Sequence, residues 1–214
     1  MKKGIIFDLD GTLWDSTKVL VKAWNIVLES FPQSKVKVTL ENLMPLLGKT
    51  LDEIIELLVY DITDDGIRRN IAKKCEQVEH ELLSKEGGVL YPMVEETLRF
   101  LSKKYSLFIV SNCQSGYIES FFEAHGLEKY FDDYECPGKS GLKKSDNIKL
   151  IIERNNIDKG VYIGDTENDY KESKKAGIPF IHAAYGFGNI NENIDRIEHF
   201  SQLTQFLFED LIFN

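Results

Sequence analysis

The stretch Gly4-Ile5-Ile6-Phe7-Asp8-Leu9-Asp10-Gly11-Thr12-Leu13 constrains the chain most, because an apolar run ends abruptly in two carboxylates and a glycine. Ile5, Ile6 and Phe7, bounded by Gly4 and Gly11, read as a short buried strand. In a central parallel strand, Asp8 and Asp10 would emerge at the carboxyl end, where open α/β sheets place their ligands. Two like charges there repel unless a divalent metal or a phosphate-handling site neutralises them. The same residues also read as an acidic turn closing a surface strand, so the rest of the chain must decide.

Two later stretches repeat the design. Ser106-Leu107-Phe108-Ile109-Val110 runs into Ser111 and Asn112, and Val161-Tyr162-Ile163-Gly164 runs into Asp165. A short strand is expected near Tyr134-Glu135-Cys136, and Pro179 to Ala184 gives the last one. Between them lie segments with helical spacing: Val94, Leu98 and Leu101; Ile118, Phe121 and Phe122 up to Gly126; Ile148, Ile151 and Ile152; Tyr170 and Ala176 up to Gly177. Leu203, Phe206, Leu207 and Leu211 mark a terminal helix. Strands alternating with helices predict right-handed βαβ units, hence an α/β fold with a Rossmann-like parallel sheet. Such a sheet brings Asp8 and Asp10, Ser111 and Asn112, and Asp165 with nearby Asp169 to one edge. An acidic turn does not account for that convergence.

Residues 15 to 85 break the alternation. Asp15 or Ser16 can cap a helix carrying Leu20, Ala23, Trp24, Val27 and Leu28, which ends by Pro32. A second helical region, 39 to 60, is interrupted at Pro45 and Gly48, and a third runs from Asp65 to Leu83. A helical block of about 70 residues is too long for an ordinary βα connection. The expected organisation is therefore a core formed by 1–14 and 86–214, with an inserted helical cap at 15–85.

The 214 residues suffice for one sizeable core plus a small inserted unit. With 35 acidic against 26 basic residues and a net charge of −9, a nucleic-acid or anionic-membrane partner is disfavoured. No apolar stretch reaches a membrane span, and Met-Lys-Lys precedes too short an apolar run for a signal peptide, so a cytoplasmic location is expected. Cys75, Cys113 and Cys136 are too widely spaced for a CxxC metal site and read as reduced, mostly buried thiols. His80, His125, His182 and His199 are scattered and read as surface or packing residues. The terminal cluster Phe206, Leu207, Phe208, Leu211, Ile212 and Phe213 could pack on the core or on a partner, leaving monomer or homodimer open.

Asp165 and Asp169, four apart at a helix start, can reach toward one point. Hard oxygen ligands from separate segments suit Mg²⁺ rather than zinc. A phosphate brought there needs donors, which the Ser111 hydroxyl, the backbone around Asn112 and a lysine of the Gly138–Lys144 loop, Lys143 or Lys144, can supply.

The ordered motifs resemble the haloacid dehalogenase superfamily over essentially the whole chain. Asp8-Leu9-Asp10-Gly11-Thr12-Leu13 is similar to its DxDGT signature, Ile109-Val110-Ser111-Asn112 to its second motif, and Gly164-Asp165-Thr166-Glu167-Asn168-Asp169 to its fourth. The third departs from the common Lys-Pro pattern, since Lys144 is followed by Ser145. The resemblance implies a Mg²⁺-dependent phosphatase acting on a small phosphorylated metabolite. Asp8 would form an aspartyl-phosphate, and Asp10 would serve as acid and base and give its backbone carbonyl to the metal. Ser111 and Lys144 would hold the phosphoryl group, with Asp165 and Asp169 on the metal. The cap resembles that of members related to phosphoglycolate phosphatase and β-phosphoglucomutase, with Pro45–Thr50 reaching the substrate and Lys49 touching its organic part. Trp14 lies either at the cap hinge or in plain packing. A sugar-phosphate phosphomutase is the alternative enzyme. A phospho-accepting signalling module or a silent binding protein is the alternative outside enzymes.

Overall fold

The computed structural model describes residues 1–208, so the expectation for Leu211, Ile212 and Phe213, and for side chains from Phe206 onward, lies outside the described residues. The chain opens with strand β1 (Lys3–Phe7), a two-residue strand β2 (Trp14–Asp15), and four helices, α1 (Thr17–Glu29), α2 (Leu40–Leu43), α3 (Leu51–Leu58) and α4 (Asp65–Glu86). It continues through β3 (Val89–Leu90), α5 (Val94–Leu101), β4 (Ser106–Val110), α6 (Tyr117–His125), β5 (Asp133–Glu135), α7 (Pro137–Ser140) and α8 (Lys144–Arg154). The last elements are β6 (Lys159–Gly164), α9 (Glu167–Ala176), β7 (Phe180–Ala183), β8 (Arg196–Ile197) and α10 (Leu203–Phe208).

Six strands form one sheet in the order β5-β4-β1-β6-β7-β8, every neighbour parallel. Alternation of side chains along each strand divides the core between two faces. Ile5, Phe7, Leu107, Ile109, Val161 and Ile163 belong to one buried cluster, and Ile6, Phe108, Val110 and Tyr162 to the other. Phe7 is level with Ile109 on β4 and Ile163 on β6. Asp8, one residue past Phe7, and Ser111 and Asp165, two past Ile109 and Ile163, therefore come out at the same carboxyl edge of the sheet.

The inserted helices α1 to α4 continue the core cluster that Phe7 belongs to, through Leu43, Ile55, Ile71 and Leu83. Helix α4 starts at Asp64, whose carboxylate accepts a 2.8 Å bond from the Ile67 amide, and it packs along both α1 and α6. The insertion leaves and rejoins the core through an antiparallel ribbon, with Trp14 opposite Leu90 and Asp15 opposite Val89. Trp14 packs edge-on against Phe121 of α6 at 5.2 Å, so it is both a ribbon residue and a packing residue.

Two local expectations are corrected. β7 is not the last strand, because β8 pairs with it parallel; two residues are too few for a periodic signal. The Gly138–Lys144 loop holds the last turn of a short helix, α7, started by Pro137 at a first-turn position. The ribbon β2–β3 was invisible for the same reason as β8. All three cysteines are free and buried, as expected.

Ile163 is fully buried one row below the site. Ile163→Ala is expected to cost about 2–5 kcal/mol of unfolding free energy, read from urea denaturation. A cost under about 1 kcal/mol would show that the sheet centre is not packed as described.

Candidate active site

Asp8 is the first residue beyond β1, and its backbone amide donates to the Ile163 carbonyl at 2.8 Å, so the β1–β6 pairing fixes where its side chain starts. Asp165 follows Gly164 at the end of β6. Asp169 sits in the first turn of α9, where Thr166 caps the helix. The Thr166 amide and hydroxyl donate to Asp169 Oδ2 at 2.9 and 2.6 Å, and the Asp169 amide donates back to Thr166 Oγ1 at 3.2 Å. This capping box leaves Asp169 Oδ1 turned toward Asp8.

Each of Asp8, Asp165 and Asp169 is buried and offers an oxygen within 4.8 Å of the others. Lys144, at the first turn of α8, donates from Nζ to Asp8 Oδ1 at 2.9 Å and to Asp169 Oδ1 at 2.5 Å. Lys143 is exposed, so of the two candidate lysines it is Lys144 that lies in the acidic cluster. Three buried acids against one cation leave the cluster short of positive charge. Burial first, then Asp169, pushes the Asp8 carboxyl up to about 6 despite Lys144. Burial, Asp169 and Asp8 push Asp165 well above the usual carboxylate range.

Asp165 Oδ2 accepts from the Phe187 amide at 2.8 Å, while its Oδ1 is buried with no hydrogen-bond partner. An orphaned carboxylate oxygen beside two further carboxylates is a donor set that a hard divalent cation satisfies and that zinc, which favours nitrogen and sulfur, does not. The residues present therefore fit Mg²⁺. The Asp10 carboxyl is not among the three; the expectation for Asp10 as a ligand rests on its backbone carbonyl.

The Asp10 side chain faces the inserted helices. Ser16 donates to its Oδ1, and the Tyr117 hydroxyl lies 3.1 Å from the same oxygen and 3.0 Å from Ser16 Oγ. Its desolvated setting, opposed by the Ser16 bond and assisted by Asp8, pushes this carboxyl up to about 7. Asp8, Asp10 and Ser111 all line one small cavity of about 50 Å³, which Lys49 and the loop around it flank from the other side. An outer cleft of about 780 Å³ also reaches Lys49, Asn112 and Lys144. Asn112 spends its side-chain amide on the Gly48 carbonyl at 2.9 Å, tying the Pro45–Thr50 loop to the end of β4.

Sequence reasoning missed four contributors. Ser16 and Tyr117 hold Asp10, and neither stands in a motif. Gly186 and Phe187 wrap Asp165, and the paired glycines of Tyr185-Gly186-Phe187-Gly188 directly after a strand were the available signal. The fit there is close: a Cβ on Gly11, at φ +80°, would lie 2.2 Å from Asp165 Oδ2, and one on Gly186 2.3 Å from the Gly11 carbonyl. His182 is buried, with its Nε2 3.1 Å from the Asp165 carbonyl oxygen, a packing role in keeping with expectation.

The model for haloacid dehalogenase-like hydrolases matches residues 5–183, most of the chain and all of the acidic cluster. The chain belongs to this family. It is similar to the phosphoglycolate phosphatases of Vibrio parahaemolyticus, 27% identical over 87% of this chain and 86% of that one, and of Escherichia coli strain K12, 28% identical over 90% and 85%. Its fold is that of CbbY from Rhodobacter sphaeroides, solved in complex with phosphate (TM-score 0.81, 20% identity, 95% and 96% coverage). It is likewise that of a subfamily IA hydrolase from Geobacter sulfurreducens (TM-score 0.73, 17% identity, 96% of each chain). Among the described residues no helix is long and apolar enough to cross a membrane.

Gly186→Ala is expected to cost about 1–3 kcal/mol, because backbone rather than a mobile side chain blocks the added methyl. Gly160→Ala, whose nearest neighbours would lie at 3.8 to 4.0 Å, is expected to stay within about 0.5 kcal/mol of the parent. Equal melting temperatures for the two variants would refute the tight fit around Asp165.

Proposed function

We propose that this hydrolase cleaves the phosphate monoester of a small metabolite, with Asp8 as nucleophile and Mg²⁺ as cofactor. The observation that carries the reading is Lys144 bridging Asp8 and Asp169 beside the orphaned Asp165 oxygen. Structural ion pairs are matched in charge, whereas this cluster has acids to spare for a second cation and an anionic group.

Asp8, Asp165 and Asp169, with the Asp10 backbone carbonyl, would hold Mg²⁺. When bound, the ion supplies positive charge to neutralise the phosphoryl oxygens. Lys144 grips one Asp8 oxygen and so fixes the carboxylate at the cavity wall, where its free oxygen attacks phosphorus. The phosphorus–oxygen ester bond breaks as the aspartyl-phosphate forms, and the Asp10 carboxyl gives its proton to the leaving oxygen. Asp10, now ionised, takes a proton from water, which displaces phosphate and restores Asp8. Ser16 and Tyr117 orient Asp10 for both transfers. Ser111, at the cavity wall, donates to the phosphoryl oxygens together with Lys144.

In this reading residues 15–85 act as a cap over the 1–14 and 86–214 core. By volume the cavity holds about three to five waters, so in this reading the Asn112–Gly48 tie loosens to admit substrate. Closure then excludes bulk water and presents Lys49 and Asn112 to the substrate.

Phosphate release from a panel of small phosphate esters tests the proposal. Turnover is expected to require Mg²⁺ and to stop with EDTA. Asp8→Asn should reduce kcat by more than about 10³-fold, and Asp10→Asn by about 10²–10⁴-fold. Asp8→Asn with wild-type turnover would refute the nucleophile. Interconversion of sugar phosphates without phosphate release would instead assign a mutase.

A further inference from the structure

One buried acid lining the cavity has no part in the chemistry above. Glu79, on α4, is only 3% exposed and shares the cavity with Asp8 and Asp10. Trp24 Nε1 donates to one of its oxygens and Gln114 Nε2 to the other, and among the described residues it has no ion pair. The same cavity is lined on its apolar side by Leu20, Leu43 and Ile54 and on its polar side by Asp8, Asp10, Lys49 and Ser111.

Packing alone does not explain this choice of residue. A buried carboxyl without a cation is costly, and an apolar side chain would fill the same space at lower cost. A carboxyl also offers about four acceptor positions, of which Trp24 and Gln114 use two.

We propose that Glu79 is a specificity-determining residue that hydrogen-bonds a hydroxyl of the leaving group, so that the substrate is the phosphate ester of a short polyol. This rests on the phosphatase reading and names its substrate class. A hydroxyl both donates and accepts, so it satisfies Glu79 whether the carboxyl is ionised or protonated. A carboxylate end, as in phosphoglycolate, meets repulsion from the ionised form and gains a bond only from the protonated one. Burial pushes Glu79 up to about 8, the Trp24 and Gln114 bonds acting in the opposite direction, so both forms are accessible near neutrality. The small volume favours a leaving group of few carbons over a nucleoside. Lys49, the one cation lining the cavity among the described residues, is half-buried on the loop that closes it.

The test compares kcat/KM on glycerol 3-phosphate, propyl phosphate and phosphoglycolate for the wild type, Glu79→Ala and Glu79→Gln. Propyl phosphate has the same carbon chain without the hydroxyls. The wild type is expected to prefer glycerol 3-phosphate over propyl phosphate by about 10- to 100-fold, the worth of one well-made buried hydrogen bond. Glu79→Ala should erase that preference while holding propyl phosphate within about threefold of wild type, and Glu79→Gln should retain part of it.

A wild type that prefers phosphoglycolate, or an equal loss on all three esters in Glu79→Ala, would overturn the assignment. The wild-type comparison does not depend on how well the variants fold. Hydrolysis of none of the esters by the wild type, with or without Mg²⁺, would overturn the phosphatase reading itself, a result distinct from hydrolysis without hydroxyl preference.

Discussion

The ammonium of Lys144, buried between Asp8 and Asp169, is the interaction on which the site depends. Placing a lysine out of water is costly unless its charge is matched, and two carboxylates match it here. They do more than match it, because Asp165 adds a third acid whose oxygen has no partner. The imbalance is what separates a reaction centre from a structural ion pair. The surrounding backbone also fits closely, with Gly11 and Gly186 leaving no room for a side chain beside Asp165.

Three pieces of secondary structure hold this arrangement. The parallel register of β4, β1 and β6 delivers Ser111, Asp8 and Asp165 to one edge of the sheet. The capping box of α9 turns Asp169 toward them, and α8 begins at Lys144, so that its first side chain points into the cluster. On the opposite side the inserted helices provide Ser16 to hold Asp10 and Glu79 to line the cavity, with Gly48 tied to Asn112. In the proposed mechanism the reacting groups thus stand at the sheet edge, and the groups assigned to the rest of a substrate stand mainly on the insertion. Chemistry and selectivity can therefore vary independently within one architecture.

Much of this could be read from residue order. The apolar runs at 5–7, 107–110 and 161–163 carry strong β signals and end in polar groups, so their common edge followed from the parallel topology alone. Lys144 against Lys143 could not be separated, since the two are adjacent and only the entry angle of α8 decides which is buried. Ser16, Tyr117 and Glu79 were invisible for a related reason. Tyr117 and Glu79 lie on helices at unremarkable positions and Ser16 just ahead of α1 at a capping position, and each role comes from packing toward Asp10 or the cavity.

The sequence by itself determined the α/β architecture, the helical insertion between β1 and β4 and the acids that gather at one edge. Those features follow from local periodicity and from strand ends, which neighbouring residues set. Tertiary structure alone decided the second layer: the Phe187 amide on Asp165, the Asn112 tie across the cavity, and the unmatched Glu79 in its wall. Those contacts join residues far apart in the chain, and no local pattern encodes a distance that only packing sets.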